Sequence, residues 1–128
     1  MRVLLVEDNK INRMIGSKFL RRWEIEIETA ENGKIAIEML NNDPNFDVIL
    51  MDLNMPEMGG LSATRYIRAM SDVYYQTVPI IAMTADVSPD IQTETRKSGM
   101  NGYLSKPFDP ETLFEILERY SSVIHEKP

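Results

Sequence analysis

Polar side chains that suit phosphoryl transfer follow four short apolar runs of the sequence. The runs are residues 3–6, 48–51, 78–83 and 102–105, and the polar sites after them are Glu7-Asp8, Asp52, Thr84 and Lys106. Short apolar runs between polar segments are typical of strands buried on both faces of a parallel sheet. Open parallel sheets bind ligands at the carboxyl ends of their strands. We therefore expect three acids, a hydroxyl and an ammonium at one sheet edge, where the acids would bind a divalent metal and the other groups a phosphate.

Helical patterns alternate with these apolar runs. Four apolar residues at helical spacing form a stripe along the first predicted helix: Ile11, Met14, Ile15 and Phe19. Caps, prolines and glycines mark the helix starts. These starts are Asn9 or Asn12, Asn32-Gly33, Met58-Gly59-Gly60, Ser88-Pro89-Asp90 and Asp109-Pro110-Glu111.

The alternation predicts five strands and five helices, which is typical of a doubly wound α/β domain with right-handed crossovers. Residues 25–28 alternate between apolar and acidic side chains, as expected for a half-solvated edge strand. We predict one domain over residues 1–122 and a tail over residues 123–128, which contains the single histidine, His125. Residues 70–75 are interpreted as a surface loop with exposed aromatic side chains.

Composition narrows the classes of function. The chain has 128 residues, a net charge of −6 and no cysteine, so disulfides and thiolate metal sites are excluded. The acidic charge argues against direct binding to nucleic acid. No apolar stretch approaches the ~18 residues of a membrane span, and Met1-Arg2 leads directly into the first strand without a signal peptide. We therefore expect a cytoplasmic domain without membrane contact.

Four motifs at the predicted strand ends resemble those of the receiver domain of two-component response regulators. They are Leu4-Leu5-Val6-Glu7-Asp8-Asn9, Met51-Asp52-Leu53-Asn54-Met55-Pro56, Met83-Thr84-Ala85 and Ser105-Lys106-Pro107-Phe108. Together and in order they are highly specific, and the resemblance covers about residues 1–120. It implies a flavodoxin-like sheet in the order 2-1-3-4-5 and a cis peptide bond between Lys106 and Pro107. The domain would be a phosphoacceptor in signalling, with its own autophosphorylation and autodephosphorylation chemistry, and not an enzyme in the ordinary sense.

The acids then have distinct expected roles. Asp52 is the candidate nucleophile, because a carboxylate that attacks a phosphoryl group forms an acyl phosphate. In the family, the donor is a phosphohistidine on a kinase core or a phosphotransfer domain. Three neighbouring carboxylates repel each other, so a cation would relieve their charge, and Mg²⁺ prefers such oxygens. The resemblance implies that Asp8 and Asp52 bind the metal directly, that the Asn54 carbonyl adds a ligand and that Glu7 acts through water.

The remaining residues would read the phosphate and set its lifetime. Lys106 and Thr84 offer an ammonium and a hydroxyl to phosphoryl oxygens, where positioned donors supply most of the catalysis. The resemblance makes Tyr103 the aromatic whose rotamer accompanies movement of Thr84. It also implies that Asn54 and Asp86 flank the path of attacking water. One departure is the Gly59-Gly60 pair where many family members have an acid, which leaves the cap of the third helix in doubt.

Three other classes of function fit the sequence less well. A haloacid-dehalogenase-like phosphatase also forms an aspartyl phosphate with Mg²⁺, but its nucleophile lies on the first strand. A degenerate receiver would act by protein contact alone, and a nucleotide or flavin binder would need a glycine-rich loop after the first strand. The complete acceptor set favours a working receiver.

The context of the domain is a separate question, and the motifs look like those of receivers attached to hybrid sensor histidine kinases. A stand-alone regulator remains the alternative. The family's usual partner surface lies at about residues 88–120, from the fourth predicted helix to the fifth, and some members dimerise through it.

Overall fold

Five parallel strands form one sheet in the order β2-β1-β3-β4-β5, as the resemblance implied. The computed structural model describes residues 1–107 and 109–120. Phe108 of the fourth motif, the predicted boundary at residue 122 and the predicted tail with His125 lie outside the described residues. The strands are β1 (Arg2–Val6), β2 (Glu26–Ala30), β3 (Val48–Asp52), β4 (Ile80–Thr84) and β5 (Gly102–Ser105).

Six helices connect or follow the strands in the described part of the chain. They are α1 (Lys10–Arg22), α2 (Gly33–Asn42), α3 (Gly60–Arg68), α4 (Val73–Thr77), α5 (Pro89–Ser98) and α6 (Pro110–Arg119). Side-chain caps begin five of them, at Asn9, Asn32, Asp72, Ser88 and Asp109. The N-cap residue of α3 is Gly59, so this helix begins without a side-chain cap.

The short helix α4 corrects two expectations, the count of five helices and the surface loop with exposed aromatics. Asp72 caps it, and Tyr75 is buried with its hydroxyl donating to the Leu40 carbonyl oxygen at 2.9 Å. The Tyr74 hydroxyl donates to the Phe46 carbonyl oxygen at 2.8 Å and accepts from the Phe46 N–H at 3.0 Å. Tyr75 therefore fastens α4 to α2, and Tyr74 fastens it to the segment that follows α2. Sequence periodicity over so short a stretch does not reveal these contacts.

Two apolar layers cover the sheet, one on each face. Alternate residues of β1 face the two layers, with Leu4 and Val6 in one and Val3 and Leu5 in the other. The first layer is completed by residues of α2, α3 and α4, and the second by residues of α1 and α6. No helix among the described residues is long and apolar enough to cross a membrane. The central strands are buried along their length, so their carboxyl ends are held rigidly.

Helix α1 exposes its apolar side, unlike an ordinary amphipathic helix. An apolar stripe normally faces the core, yet Ile11, Met14 and Ile15 are 66%, 62% and 47% exposed. The buried side of α1 carries Gly16 and Leu20 instead, and Gly16 approaches the sheet closely at Leu5. The predicted stripe therefore exists but lies largely in solvent beside the carboxyl ends of the strands.

Candidate functional site

Three carboxylates meet at the carboxyl edge of the sheet, as the strand-end pattern predicted. Glu7 and Asp8 follow β1, and Asp52 is the last residue of the neighbouring β3. One carboxylate oxygen from each residue lies within 4.8 Å of the others. Glu7 and Asp52 are only 2% and 4% exposed, whereas Asp8 faces solvent. The site is thus an acidic pocket with one open side.

Backbone and side-chain contacts fix the loops that carry these acids. The Asn9 N–H donates to Glu7 Oε2 and the Asn54 N–H donates to Asp52 Oδ1, each at 3.2 Å. Arg13 Nη1 donates to the carbonyl oxygens of Glu7 at 2.8 Å and Asp8 at 3.0 Å. Arg13 was not among the predicted site residues. The N-cap at Asn9 was its available signal, since a residue one turn into α1 faces back toward the loop before it.

Lys106 forms ion pairs with both buried acids. Its Nζ lies 2.7 Å from Glu7 Oε1 and 3.2 Å from Asp52 Oδ2. The Lys106–Pro107 peptide bond is cis, as the resemblance implied. Lys106 follows the edge strand β5, so the ammonium reaches across β4 to the acids on the central strands. The ion pairs place a cation where the charge of a phosphoryl group would develop.

The protonation of this cluster follows from burial and from the mutual repulsion of the acids. Burial and the contact with Glu7 raise the pKa of Asp52 to about 6, although Lys106 opposes the shift. Burial acts in the same direction on Glu7, but its hydrogen bonds to Lys106, Asp52 and Asn9 outweigh that effect and lower its pKa. Burial also works against the charge of Lys106, while the two acids raise its pKa on balance. The cluster therefore holds one proton in mildly acidic solution, mainly on Asp52.

The donor set fits Mg²⁺. The three residues offer only oxygen ligands, and the single ammonium of Lys106 leaves part of the negative charge of three carboxylates to be neutralised. The open side at Asp8 leaves room for the waters and phosphate oxygen that Mg²⁺ usually retains. Glu7, Asp8 and Asp52 are the residues that would hold the ion.

Thr84 lies at the end of β4, but its hydroxyl is turned to its own loop. Thr84 Oγ1 accepts from the Asp86 N–H at 3.0 Å and donates to the Asp86 carbonyl oxygen at 3.2 Å. Asp86 is exposed, and its Oδ1 accepts from the Ser88 N–H that precedes α5. The structure therefore brings Thr84 to the correct sheet edge without pointing its hydroxyl proton at Asp52.

The other predicted positions are exposed to solvent. Asn54 is exposed two residues after Asp52. Tyr103 lies on the edge strand β5 and is 40% exposed, so its ring is in part open to solvent. A cavity of about 250 Å³ beside the ion pairs is lined by Leu5, Glu7, Asn12, Ile15, Met83, Lys106 and Pro107. This cavity opens the acidic pocket toward the exposed side of α1.

The chain is similar in sequence to known proteins. A model of the response regulator receiver domain family matches residues 3–118. The chain is 38% identical to probable histidine kinase 4 of Oryza sativa subsp. japonica over 92% of its length, but spans only 14% of that protein. It is 41% identical to the transcription factor SKN7 of Chaetomium thermophilum over 99% of its length and spans 16% of that protein. The chain thus corresponds to about one seventh of the length of these curated relatives.

Solved structures agree in fold. The receiver domain of sensor histidine kinase PA1611 from Pseudomonas aeruginosa, with a magnesium ion in its active-site cleft, has a TM-score of 0.85 at 37% identity, covering 93% of this chain and 95% of that one. The Saccharomyces cerevisiae complex of the phosphotransfer protein Ypd1 with the receiver domain of Ssk1 matches at a TM-score of 0.85 and 32% identity, covering 94% and 88%. The four strand-end motifs, the sheet order and these matches together show that this chain belongs to the response regulator receiver domain family and is a receiver of two-component phosphorelay signalling.

Proposed function

We propose that Asp52 accepts a phosphoryl group from a phosphohistidine donor, with Mg²⁺ bound directly by Asp8 and Asp52 and through water by Glu7. The observation that carries the proposal is the contact of the buried Asp52 carboxylate with Lys106 in a pocket that also contains two further acids. Asp52 closes the third strand, which is not where a dehalogenase-like phosphatase has its nucleophile. The complete acceptor set also argues against a degenerate receiver.

The chemistry follows from the charges of the site. An oxygen of the ionised Asp52 attacks phosphorus, the phosphorus–nitrogen bond of the donor breaks, and the electron pair returns to the imidazole ring. Lys106 stabilises the negative charge on the transferring oxygens. Bound Mg²⁺ would neutralise charge on the carboxylates and on the phosphoryl group. The direct ligands would be Asp8, Asp52 and the Asn54 carbonyl oxygen, with Glu7 acting through water and its ion pair.

The switch would begin at Thr84. For its hydroxyl to donate to a phosphoryl oxygen, it must release the Asp86 carbonyl oxygen that it now contacts. Such a movement vacates space at the end of β4, which supports an inward turn of the half-exposed Tyr103 on the next strand. New phosphate contacts would thus bias the population between two packings. Asn54 and Asp86, both exposed beside the pocket, would tune how readily water removes the phosphoryl group.

The partners proposed are a histidine kinase core or a histidine phosphotransfer domain, supported by the kinase relative and by the matching complex that contains Ypd1. This chain matches only 14% of the length of that kinase, which supports the proposal that the receiver is part of the same polypeptide as a hybrid kinase. The face made by α5, β5 and α6 would be the output surface and a site for dimerisation. A cytoplasmic location, without membrane contact or direct nucleic-acid binding, stays a prediction.

Intact mass spectrometry tests the proposed function. The protein is incubated with acetyl phosphate with and without Mg²⁺, beside Asp52→Asn and the control Asp90→Asn, which removes an exposed acid from the first turn of α5. We expect one Mg²⁺-dependent phosphoryl group on the parent and on the control, and none on Asp52→Asn. Labelling that persists in Asp52→Asn would refute Asp52 as the acceptor.

A further inference from the structure

Two of the three acids in the pocket have carboxylates that the protein holds in place, and the third does not. The carboxylates of Glu7 and Asp52 each accept a backbone N–H and form an ion pair with Lys106. The Asp8 carboxylate is exposed and has no hydrogen bond or ion pair to any residue that the structure describes. A side chain without partners loses conformational entropy when it binds an ion. The position of Asp8 therefore depends on its main chain.

Arg13 makes the contact that holds this main chain. Its Nη1 donates to the carbonyl oxygen of Glu7 at 2.8 Å and to that of Asp8 at 3.0 Å. An arginine beside an acid commonly pairs with the carboxylate itself. Here the guanidinium binds the carbonyl oxygen and leaves the Asp8 carboxylate unpaired. Arg13 thus fixes the acidic loop without occupying a carboxylate oxygen that a metal would use.

The stability of α1 does not explain this contact. The Asn9 side chain already caps the helix by accepting from the Asn12 N–H at 3.0 Å, and the Arg13 N–H donates to the Asn9 carbonyl oxygen. A cation close to the start of a helix is also unfavourable for the helix dipole. The benefit of Arg13 therefore lies in the loop before the helix.

We propose that Arg13 is a positioning residue for Mg²⁺, which holds the Glu7-Asp8 backbone so that the free Asp8 carboxylate faces the pocket. This inference rests on the proposed function, because it takes Asp8 as a ligand of the ion. Groups that orient metal ligands commonly change metal affinity by roughly ten- to hundredfold. No hydrogen bond or ion pair joins Arg13 to Asp52 or Lys106 in the described part of the chain. Arg13 therefore acts on metal affinity and not on the transfer step.

The charge of Arg13 and its positioning effect have opposite consequences for metal binding. Removal of a nearby cation by itself lowers the repulsion of Mg²⁺ and tightens its binding. Removal of the two carbonyl contacts releases the loop and weakens binding. The loss should be larger for Mg²⁺ than for Ca²⁺, because Mg²⁺ demands nearly ideal octahedral geometry and Ca²⁺ accepts flexible coordination. The direction of the change and the ratio of the two affinities therefore identify positioning.

Titration calorimetry with MgCl₂ and with CaCl₂ tests the inference. The parent is compared with Arg13→Met, which has no donor, and with Arg13→Lys, which keeps the charge without the guanidinium. The control Arg22→Met removes an exposed cation from the last turn of the same helix. Circular dichroism checks that each variant is folded, and Arg13→Lys decides the result if Arg13→Met does not fold. Labelling by acetyl phosphate over a range of Mg²⁺ concentrations gives a second readout.

We expect Arg13→Met to bind Mg²⁺ about tenfold more weakly than the parent, with a smaller loss for Ca²⁺. Arg13→Lys should lie between the two, and Arg22→Met should match the parent. The Mg²⁺ concentration that gives half-maximal labelling should rise by the same factor. The labelling rate at saturating Mg²⁺ should stay within about twofold of that of the parent.

Unchanged or tighter Mg²⁺ binding in the folded Arg13 variants, or equal losses for both cations, would overturn the inference. So would a lower labelling rate at saturating Mg²⁺ with unchanged affinity. A parent that binds Mg²⁺ with the expected dependence on Arg13, but gains no phosphoryl group, would support the inference and refute the proposed function.

Discussion

The residue at the centre of the site is a carboxylate whose ionised form is destabilised by its surroundings. Asp52 is nearly buried beside Glu7, and the single ammonium of Lys106 serves both acids. Burial and repulsion raise the pKa of Asp52 to about 6. A nucleophile in this state remains largely ionised at neutral pH, and the residual repulsion favours binding of a cation. Catalytic competence and stability of the metal-free protein are therefore in conflict at this residue.

Replacing Asp52 with asparagine should stabilise the metal-free protein. A pKa that is raised on folding means that the folded state binds more protons, so the stability of the parent falls as pH rises toward about 6 and stays reduced above it. We expect Asp52→Asn to raise the free energy of unfolding at pH 7 by roughly 1–3 kcal/mol, with the gain shrinking as pH falls toward 4. Urea unfolding in EDTA across this pH range measures the difference.

The control for that measurement is Asp90→Asn, an exposed acid whose removal should leave the pH dependence of the parent intact. A gain for Asp52→Asn that is equally large at both ends of the pH range would mean that titration of Asp52 is not its origin.

Lys106 is predicted to oppose metal binding while it assists transfer. Its ammonium lies 3.2 Å from Asp52 Oδ2, so it competes with a divalent cation for the same acid. We expect Lys106→Met to bind Mg²⁺ several-fold more tightly, because about 1.4 kcal/mol of lost repulsion corresponds to a tenfold change. Phosphorylation by acetyl phosphate should nevertheless become at least tenfold slower. Titration calorimetry at pH 8 measures the affinity, with Lys97→Met as the control on α5; weaker Mg²⁺ binding would contradict this account of the lysine.

The site residues were predictable to different degrees. Strand-end positions and the family motifs sufficed for the acids and for Lys106, because parallel strands bring their carboxyl ends to one edge. The turned-away hydroxyl of Thr84 was not predictable, since its partner is the backbone of Asp86 and backbone contacts leave no residue signature. Arg13, whose acceptors are two carbonyl oxygens, is indicated only by its position one turn after the Asn9 cap.

At the scale of elements, the start of α3 sets the position of the nucleophile. The Gly60 N–H donates to the Leu53 carbonyl oxygen at 3.1 Å, and a Cβ at Gly60 would lie 2.4 Å from the Asp52 carbonyl oxygen. The Gly59-Gly60 pair therefore lets α3 approach the end of β3 more closely than any larger residue allows. The pair of glycines that stands in place of a capping acid is therefore required by the close packing of α3 against β3.

Gly60→Ala should destabilise the fold although alanine favours helices. We expect a loss of about 1–3 kcal/mol of unfolding free energy, because the backbone of β3 or α3 must shift to relieve the contact. The control is Gly102→Ala, where the nearest atoms to a new Cβ are an ordinary 3.6 Å away. Chemical denaturation compares the two, and a neutral or stabilised Gly60→Ala would show that α3 can retreat without cost.

The short helix α4 shows where sequence patterns stop being informative. Five residues give too few turns for a periodicity, and the anchors of α4 are hydroxyls that bond to distant backbone. The starts of four longer helices, by contrast, were predicted, because residue types that favour N-caps stand there: Asn9, Asn32, Ser88 and Asp109.

Removal of the Tyr75 hydroxyl should weaken the attachment of α4. The Leu40 carbonyl oxygen would lose its donor inside the core, so we expect Tyr75→Phe to cost about 1 kcal/mol or more. Tyr66→Phe, on a ring that is 53% exposed, is the matched control and should change stability little. Thermal unfolding of both variants decides this, and equal effects would remove the structural role assigned to the hydroxyl.

At the scale of the whole molecule, one sheet supports the acidic pocket, the exposed side of α1 and the start of α5 at different places. The acceptor pocket lies at the carboxyl edge, α1 and α6 cover one face, and α5 packs toward the other. Exposed apolar side chains of α1 lie beside the pocket. On the other side, hydrogen bonds through Asp86 and Ser88 connect Thr84 to the start of α5. The fold thus separates the exposed side of α1, next to the pocket, from the loop that leads from Thr84 to α5.

The most direct test of the central claim identifies the residue that becomes phosphorylated. After phosphorylation with Mg²⁺, reduction with sodium borohydride converts an aspartyl phosphate to homoserine, and peptide mass spectrometry locates the change. The account predicts homoserine at position 52 alone, and unmodified peptides when Mg²⁺ is omitted. Homoserine at Asp8 or elsewhere, or a phosphoryl group on a hydroxyl or on His125, would contradict it.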